Sequence, residues 1–143
     1  MRPSKSGATE LVDVVNLVAQ AVWADMRRSP RSIEPTQWAT LRRVASGPCT
    51  MSDLARHKAV SLPTISKSVD MLVRRGWVER WIDKSDRRQT LVRRTTGGRR
   101  VLAELRRRAE RLLSAKLASL TPQEREQMTA SLRRVRTALS ADE

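Results

Sequence analysis

Apolar residues recur along this chain at helical spacing almost throughout, with one interruption past the middle. Between about residues 8 and 28, Leu11, Val14, Val15, Val18, Ala21, Val22 and Met26 repeat at intervals of one, three and four, which places them on one helix face. That stripe is broad for a lone surface helix. A second helix is expected after Pro35, whose fixed φ suits a first turn, with Trp38, Leu41, Val44 and Ala45 inward and Gly47-Pro48 as its stop. A third starts near Thr50. Thr50 and Asp53 have capping-box spacing there, and Leu54 and Ala55 point inward. A fourth starts at Ser61, an N-cap with Pro63 in the first turn. Ile65, Val69 and Leu72 form its buried edge, and Gly76 provides a positive-φ stop after Arg75.

The period then changes. Trp77 to Ile82 and Gln89 to Arg94 are rich in Val, Ile, Leu, Trp and Thr and flank a charged run from Asp83 to Arg88, which predicts a β-hairpin with a long polar tip. Thr95 is placed to cap a fifth helix over about 96 to 119. Its apolar stripe runs from Val101, Leu102 and Leu105 to Leu117 and Leu120, and its other face carries Arg99, Arg100, Arg106, Arg107, Arg108 and Arg111. Thr121-Pro122-Gln123-Glu124 combines cap, N1 proline and N3 glutamate, and opens a sixth helix lined by Met128, Leu132, Val135 and Leu139.

Composition narrows the chemistry. The 143 residues suit one domain, a small core with helical extensions, and they lack Tyr and Phe, so Leu, Val, Ala, Met and four Trp must supply the packing. One Cys and one His leave no disulfide and no usual His/Cys zinc cage. The basic run Met1 to Gly7 is followed by no secretory signal pattern, and the most apolar stretch, Leu11 to Met26, is too short and polar to span a bilayer, so a cytoplasmic location without membrane partners is expected. The net charge is +14, and it peaks in the middle: residues 31 to 95 carry 14 cations and six anions. A polyanionic partner is the natural inference.

Met51 to Arg75 has the helix-turn-helix plan, and the hairpin behind it makes the unit a winged helix. The fold class expected is therefore mainly α with a small β-wing, a winged helix-turn-helix over 32–95 plus terminal helices. On the fourth helix Pro63, Thr64, Ser66, Lys67, Asp70 and Arg74 face outward. Small hydroxyls with one cation let a helix enter a groove closely and still meet base edges and phosphates. Ser61 belongs with them through its place at the helix start. At the wing tip Arg87 and Arg88 lie beside Asp86. Arginine suits the narrow, strongly negative minor groove, and a neighbouring carboxylate lowers the cost of ordering it.

Thr36-Gln37-Trp38, Met51-Ser52-Asp53-Leu54-Ala55, Ser61-Leu62-Pro63-Thr64-Ile65-Ser66-Lys67, Arg75-Gly76-Trp77-Val78-Glu79-Arg80 and Asp83-Lys84-Ser85-Asp86-Arg87-Arg88 resemble the MarR family of transcriptional regulators over residues 8 to 140. The resemblance implies a homodimer joined by the first, fifth and sixth helices (8–28 and 96–140). It also implies a pseudopalindromic double-stranded DNA operator, the fourth helix in the major groove, and Arg88 rather than Arg87 in the minor groove. It further implies release by a small aromatic or phenolic effector held between the dimerisation helices and the winged part, and it calls for no cofactor or metal. The chain departs from the family pattern at Lys58, where a buried Leu is usual, and at Ala59, where the turn has Gly. Further departures are Arg94, and Gly97-Gly98, a weak helix start in which each Gly costs up to ~1 kcal/mol against Ala.

Two other functions compete with a repressor. A non-specific architectural protein would share the charge and lack the sequence preference. An enzyme would need a nucleophile–base pair, a metal cluster or a phosphate-cradling Gly loop, and the sequence displays none. Cys49 lies before the third helix, away from the position of the family's peroxide-sensing thiols. His57 reads as an exposed helix residue, Trp77 as core under the wing, and Trp81 as half exposed. Trp23 and Trp38 read as core or interface.

Overall fold

The computed structural model of the protein describes residues 6–141, and Arg2 and Lys5 of the basic amino-terminal run lie outside the described residues. The elements are α1 (Gly7–Arg27), α2 (Pro35–Arg43), a 3-10 turn (Val44–Ser46), β1 (Cys49–Thr50), α3 (Met51–Lys58), α4 (Leu62–Arg74), β2 (Val78–Ile82), β3 (Thr90–Arg94), α5 (Thr96–Lys116) and α6 (Pro122–Ser140). They form a mainly α fold with a small antiparallel wing sheet, as the sequence predicts. The chain divides into two compact units, one extending to Ala109 and the other starting at Glu110.

The first unit holds the core. Leu41, Leu54, Ile65, Val69, Leu72, Val78, Val92, Val101 and Leu105 are almost wholly shielded from water, and each such side chain contributes roughly 1.5–3 kcal/mol. Thr40 and Gln37 join this buried set on α2, contrary to the purely apolar inner face expected. Both are satisfied locally: Thr40 Oγ1 donates to the Thr36 carbonyl at 2.8 Å, and Gln37 Oε1 accepts from the Glu34 amide at 3.3 Å. Val44 and Ala45 close α2 as a tighter turn rather than as α-helix.

The sheet has a third strand that the sequence pattern did not disclose. Its order is β1-β3-β2, with Cys49 opposite Val92 and Thr50 opposite Leu91. Two residues are too few for any periodicity, and β1 exists because β3 offers it an edge. Thr50 then caps α3 by accepting from the Asp53 amide at 3.0 Å. The Asp53 carboxylate does not complete a capping box; it accepts from Arg56 Nη2 at 2.9 Å.

The turn from α3 to α4 passes through Ala59 at φ 50°, ψ 40°. This is the left-handed region, which costs an L-residue roughly 1–2 kcal/mol. The departure from glycine noted in the sequence thus leaves the turn geometry intact and strains it. At the start of α5, Thr95 Oγ1 accepts from the Gly98 amide at 3.0 Å and donates to the Gly76 carbonyl at 2.5 Å, and the Thr95 amide donates to the Trp77 carbonyl. A Cβ on Gly98 would stand 2.0 Å from the Trp77 carbonyl oxygen. What the sequence shows as a weak helix start is a close backbone crossing.

Arg108 does not belong to the outward arginine face of α5, where periodicity placed it. The Asp25 carboxylate of α1 accepts from its Nε at 2.5 Å and its Nη2 at 3.2 Å, and Nη2 also reaches the Asp25 carbonyl at 3.3 Å. This hydrogen bonding holds the Asp25 carboxyl below its ordinary 3.8, against the opposing effect of partial burial. A depressed carboxyl pKa stabilises the fold above the unfolded value and ceases to do so as pH falls through the folded one. Asp25→Asn is therefore expected to lower stability by a constant amount at neutral pH. The difference from wild type should shrink as pH drops below 3.8. Denaturation curves across that range check this; a difference independent of pH would mean that the charge is not what stabilises.

In the second unit, α5 ends at Lys116 instead of near 119. Beyond it the chain turns, and Arg125 of α6 holds that turn, its Nε donating to the Leu120 carbonyl at 3.0 Å and its Nη2 to the Ala118 carbonyl at 3.1 Å. The capping box predicted for α6 is present. Thr121 Oγ1 accepts from the Glu124 amide at 3.2 Å and Glu124 Oε2 accepts from the Thr121 amide at 2.8 Å. Among the described residues, no helix is long and apolar enough to cross a membrane.

Candidate nucleic-acid interface

α4 begins where the sequence places it. Ser61 is the N-cap, its Oγ accepting from the Thr64 amide at 3.3 Å and lying 2.8 Å from Thr64 Oγ1. Ile65, Val69 and Leu72 are fully buried, so their spacing of four and three pins one edge of the helix to the core. The opposite edge presents Ser61, Pro63, Thr64, Lys67 and Arg74 to solvent, with Ser66 half-buried beside them. Arg74 Nη1 rests 3.8 Å from Met71 Sδ. Asp70 is not free to face outward as expected: Arg80 Nη1 of β2 lies 2.5 Å from its Oδ1.

The wing tip is ordered by its acids. Asp83 Oδ1 accepts from the Ser85 hydroxyl at 2.7 Å and the Ser85 amide at 2.9 Å, and these bonds lower the Asp83 pKa. The Asp83 amide donates to the Gln89 carbonyl, and the Gln89 amide to the Asp86 carbonyl, which closes the loop. Asp86 Oδ1 accepts from the Arg88 amide at 3.1 Å and lies 3.8 Å from Arg88 Nε. Arg88 is thus anchored at its base while its side chain is 97% exposed. Arg87 is exposed, and among the described residues its side chain has no such carboxylate contact.

Behind the wing, Glu79 and Arg93 face each other across the strands and pair, and the Arg93 guanidinium lies 4.9 Å from the Trp81 ring centroid. Trp77 is buried beneath, with Arg75 4.8 Å over its ring, and Trp81 is half-buried. These contacts stiffen the root of the wing.

Between α4 and the wing runs an open groove of about 630 Å³. Pro63, Ser66 and Arg88 line it, so the structure brings these three together. Thr64, Lys67, Arg74 and Arg87 are not among its lining and stand on exposed surface around it. The groove adds Ser52, Arg80 and Thr90, which sequence reasoning did not select. Arg80 had a signal, since strand alternation from buried Val78 puts it on the same sheet face, towards α4. Ser52 and Thr90 had none, because their roles depend on how α3 and β3 meet.

The remaining singled-out residues fall away from this surface. Cys49 is buried, its thiol 3.5 Å from the Gly47 carbonyl, and burial pushes the thiol pKa up, the opposite of what a reactive thiolate needs. His57 is exposed on α3. Trp23 and Trp38 meet edge to face at 6.4 Å between α1 and α2, partly buried against the core.

This arrangement has close relatives. The MarR family profile matches residues 33–90, which span the helix-turn-helix and most of the wing. The multiple antibiotic resistance protein MarR of Escherichia coli is 37% identical over 71 residues, a match covering 49% of this chain and 49% of that protein, so the chain aligns with about half the length of this curated relative. The crystal structure of wild-type apo MarR from E. coli superposes with a TM-score of 0.74 at 25% identity, covering 92% of this chain and 98% of that one. A Pseudomonas aeruginosa structure described as a probable transcriptional regulator is 31% identical, with a TM-score of 0.59 over 85% of this chain and 93% of the other. With the helix-turn-helix, the acid-anchored wing and these likenesses in hand, the chain belongs to the MarR family of winged helix-turn-helix transcriptional regulators.

Proposed function

We propose that this protein is a sequence-specific, double-stranded DNA-binding regulator of transcription, acting as a homodimeric repressor on a pseudopalindromic operator. The observation that carries this reading is the shared placement of α4 and Arg88 on one groove: a helix with a small polar outer edge, and an exposed arginine held at its base by Asp86. The helix suits a major groove and the arginine the adjoining minor groove. Phosphate attraction follows from the net charge of +14.

A second copy of the chain is supported by what a single copy leaves uncovered. Val12, Val15 and Leu17 of α1 are more than half exposed, and so are Leu132 and Leu139 of α6. Stripes of that size on a soluble regulator mark a seam. A two-fold seam sets two α4 helices about one DNA turn apart, roughly 34 Å. Release by a small aromatic or phenolic effector is part of the same proposal. Its support is the family relationship and the Trp23–Trp38 contact, which lies where α1 meets the winged part. An effector that favours a different spacing of the half-sites lowers operator affinity.

Selection from a pool of random duplexes, with light scattering on the free protein, tests this. An inverted repeat bound ~10³-fold or more above random DNA, by a particle of twice the chain mass, is expected. Equal affinity for all duplexes would favour an architectural coat protein, and a stable single copy without sequence preference would reject the regulator.

A further inference from the structure

We infer that Lys67 reads a guanine in each operator half-site, and that Arg80 keeps Lys67 available by holding Asp70 away from it. This deepens the proposed function and rests on it.

The outer edge of α4 has a restricted chemical vocabulary. Its sequence, Leu62 to Arg74, contains no Asn, Gln, Glu or His. The two-pronged donor–acceptor side chains that read adenine are therefore missing from the helix. Cytosine, which offers an amino donor, would need an acceptor, and Asp70 is the one carboxylate on α4. Guanine offers two acceptors, O6 and N7, and an ammonium group with several donors meets them. Lys67 is exposed and lies within the first turns of the helix, between Thr64 and Asp70. The hydroxyls of Thr64 and Ser66 tolerate either kind of base edge, and the Thr64 methyl and Pro63 ring suit a thymine methyl.

Asp70 threatens this arrangement. It follows Lys67 by three residues, which makes the two side chains neighbours on the helix surface and natural ion-pair partners. Such a pair would neutralise the reading cation and set a carboxylate against the phosphates. In the structure Asp70 is instead half-buried, with Arg80 Nη1 2.5 Å from its Oδ1. Among the described residues Lys67 forms no ion pair. Arg80 comes from β2, so the root of the wing decides what the recognition helix displays. Arg80 is in this sense a positioning residue: it fixes Asp70 and leaves the base contact to Lys67.

The test starts from duplexes selected with the wild-type protein. Each half-site is expected to contain a G·C pair preferred over A·T on the order of tenfold or more. Lys67→Ala should abolish that preference while leaving preferences at other positions. Replacing that guanine by 7-deazaguanine, which lacks N7, should weaken wild-type binding and leave Lys67→Ala binding unchanged. Arg80→Ala should reduce the preference at the same base pair, because Asp70 then captures Lys67, and Arg80→Ala with Asp70→Ala should restore it. A merely structural Arg80 would weaken binding to every sequence alike, keep the preference and gain nothing from the second substitution; that outcome removes the positioning role. Enriched duplexes without such a G·C pair, or a Lys67→Ala protein that retains the preference, overturn the inference and leave the regulator reading intact. A pool from which nothing is enriched overturns both.

Discussion

Gly98→Ala is expected to destabilise the folded chain by about 3 kcal/mol or more. The added methyl would stand 2.0 Å from the Trp77 carbonyl oxygen, 3.0 Å from the Trp77 carbonyl carbon and 2.9 Å from Arg94 Cγ. Arg94 is long and can move. The Trp77 backbone cannot move cheaply, because its amide donates to the Leu72 carbonyl and its carbonyl accepts from Thr95. Relief therefore means pushing α5 off the sheet, which strips Val101 and Leu105 from the core. The better helix propensity of Ala returns up to ~1 kcal/mol and does not offset this. Gly7→Ala is the matched control, since a Cβ there meets nothing within 4 Å. Chemical denaturation of both variants at one protein concentration checks the prediction. Equal stabilities would show that the α5–sheet crossing is looser than described.

Arg88→Ala is expected to weaken binding to the selected operator by ~1–3 kcal/mol, between about fivefold and 150-fold, with little change in stability. The side chain is 97% exposed and its ion pair with Asp86 is long at 3.8 Å, so the fold loses almost nothing with it. What is lost is a guanidinium whose backbone is already fixed by Asp86. Arg87→Ala is the comparison. It removes the same charge from the same loop without the Asp86 anchor, so it should reduce the salt dependence and cost less affinity. Titrations at two salt concentrations separate the variants. If Arg88→Ala binds as tightly as wild type, the wing has no part in recognition.

Both predictions concern features that the sequence displays without explaining. Gly97-Gly98 reads as a defect in a helix start, since propensity is a property of one segment, and the obstacle at Gly98 is the carbonyl of a residue 21 positions earlier. The wing Asp and Arg are legible as types and spacing, because a short loop with an acid two residues before an arginine has few ways to bond. The pairing of Arg80 with Asp70 is not legible in this way. Strand alternation places Arg80 on the face towards α4, but its partner emerges only when α4 and β2 are seen side by side. Arg108 differs from expectation for the same reason: helical periodicity assigns it to the solvent face, and Asp25, 83 residues away in the chain, draws it in.

The order of helices, the caps at Thr50, Ser61 and Thr121, the buried edge of α4 and the hairpin all follow from local rules. Periodicity, capping hydroxyls and turn residues act over a few neighbours, so one strand of text contains them. The two-residue strand β1, the left-handed Ala59, the crossing at Gly98 and the pairs Asp25–Arg108 and Asp70–Arg80 come from contacts between distant segments. Their energies exist only once the chain has folded, and those contacts decide which of the many cations on this protein are free to meet a partner.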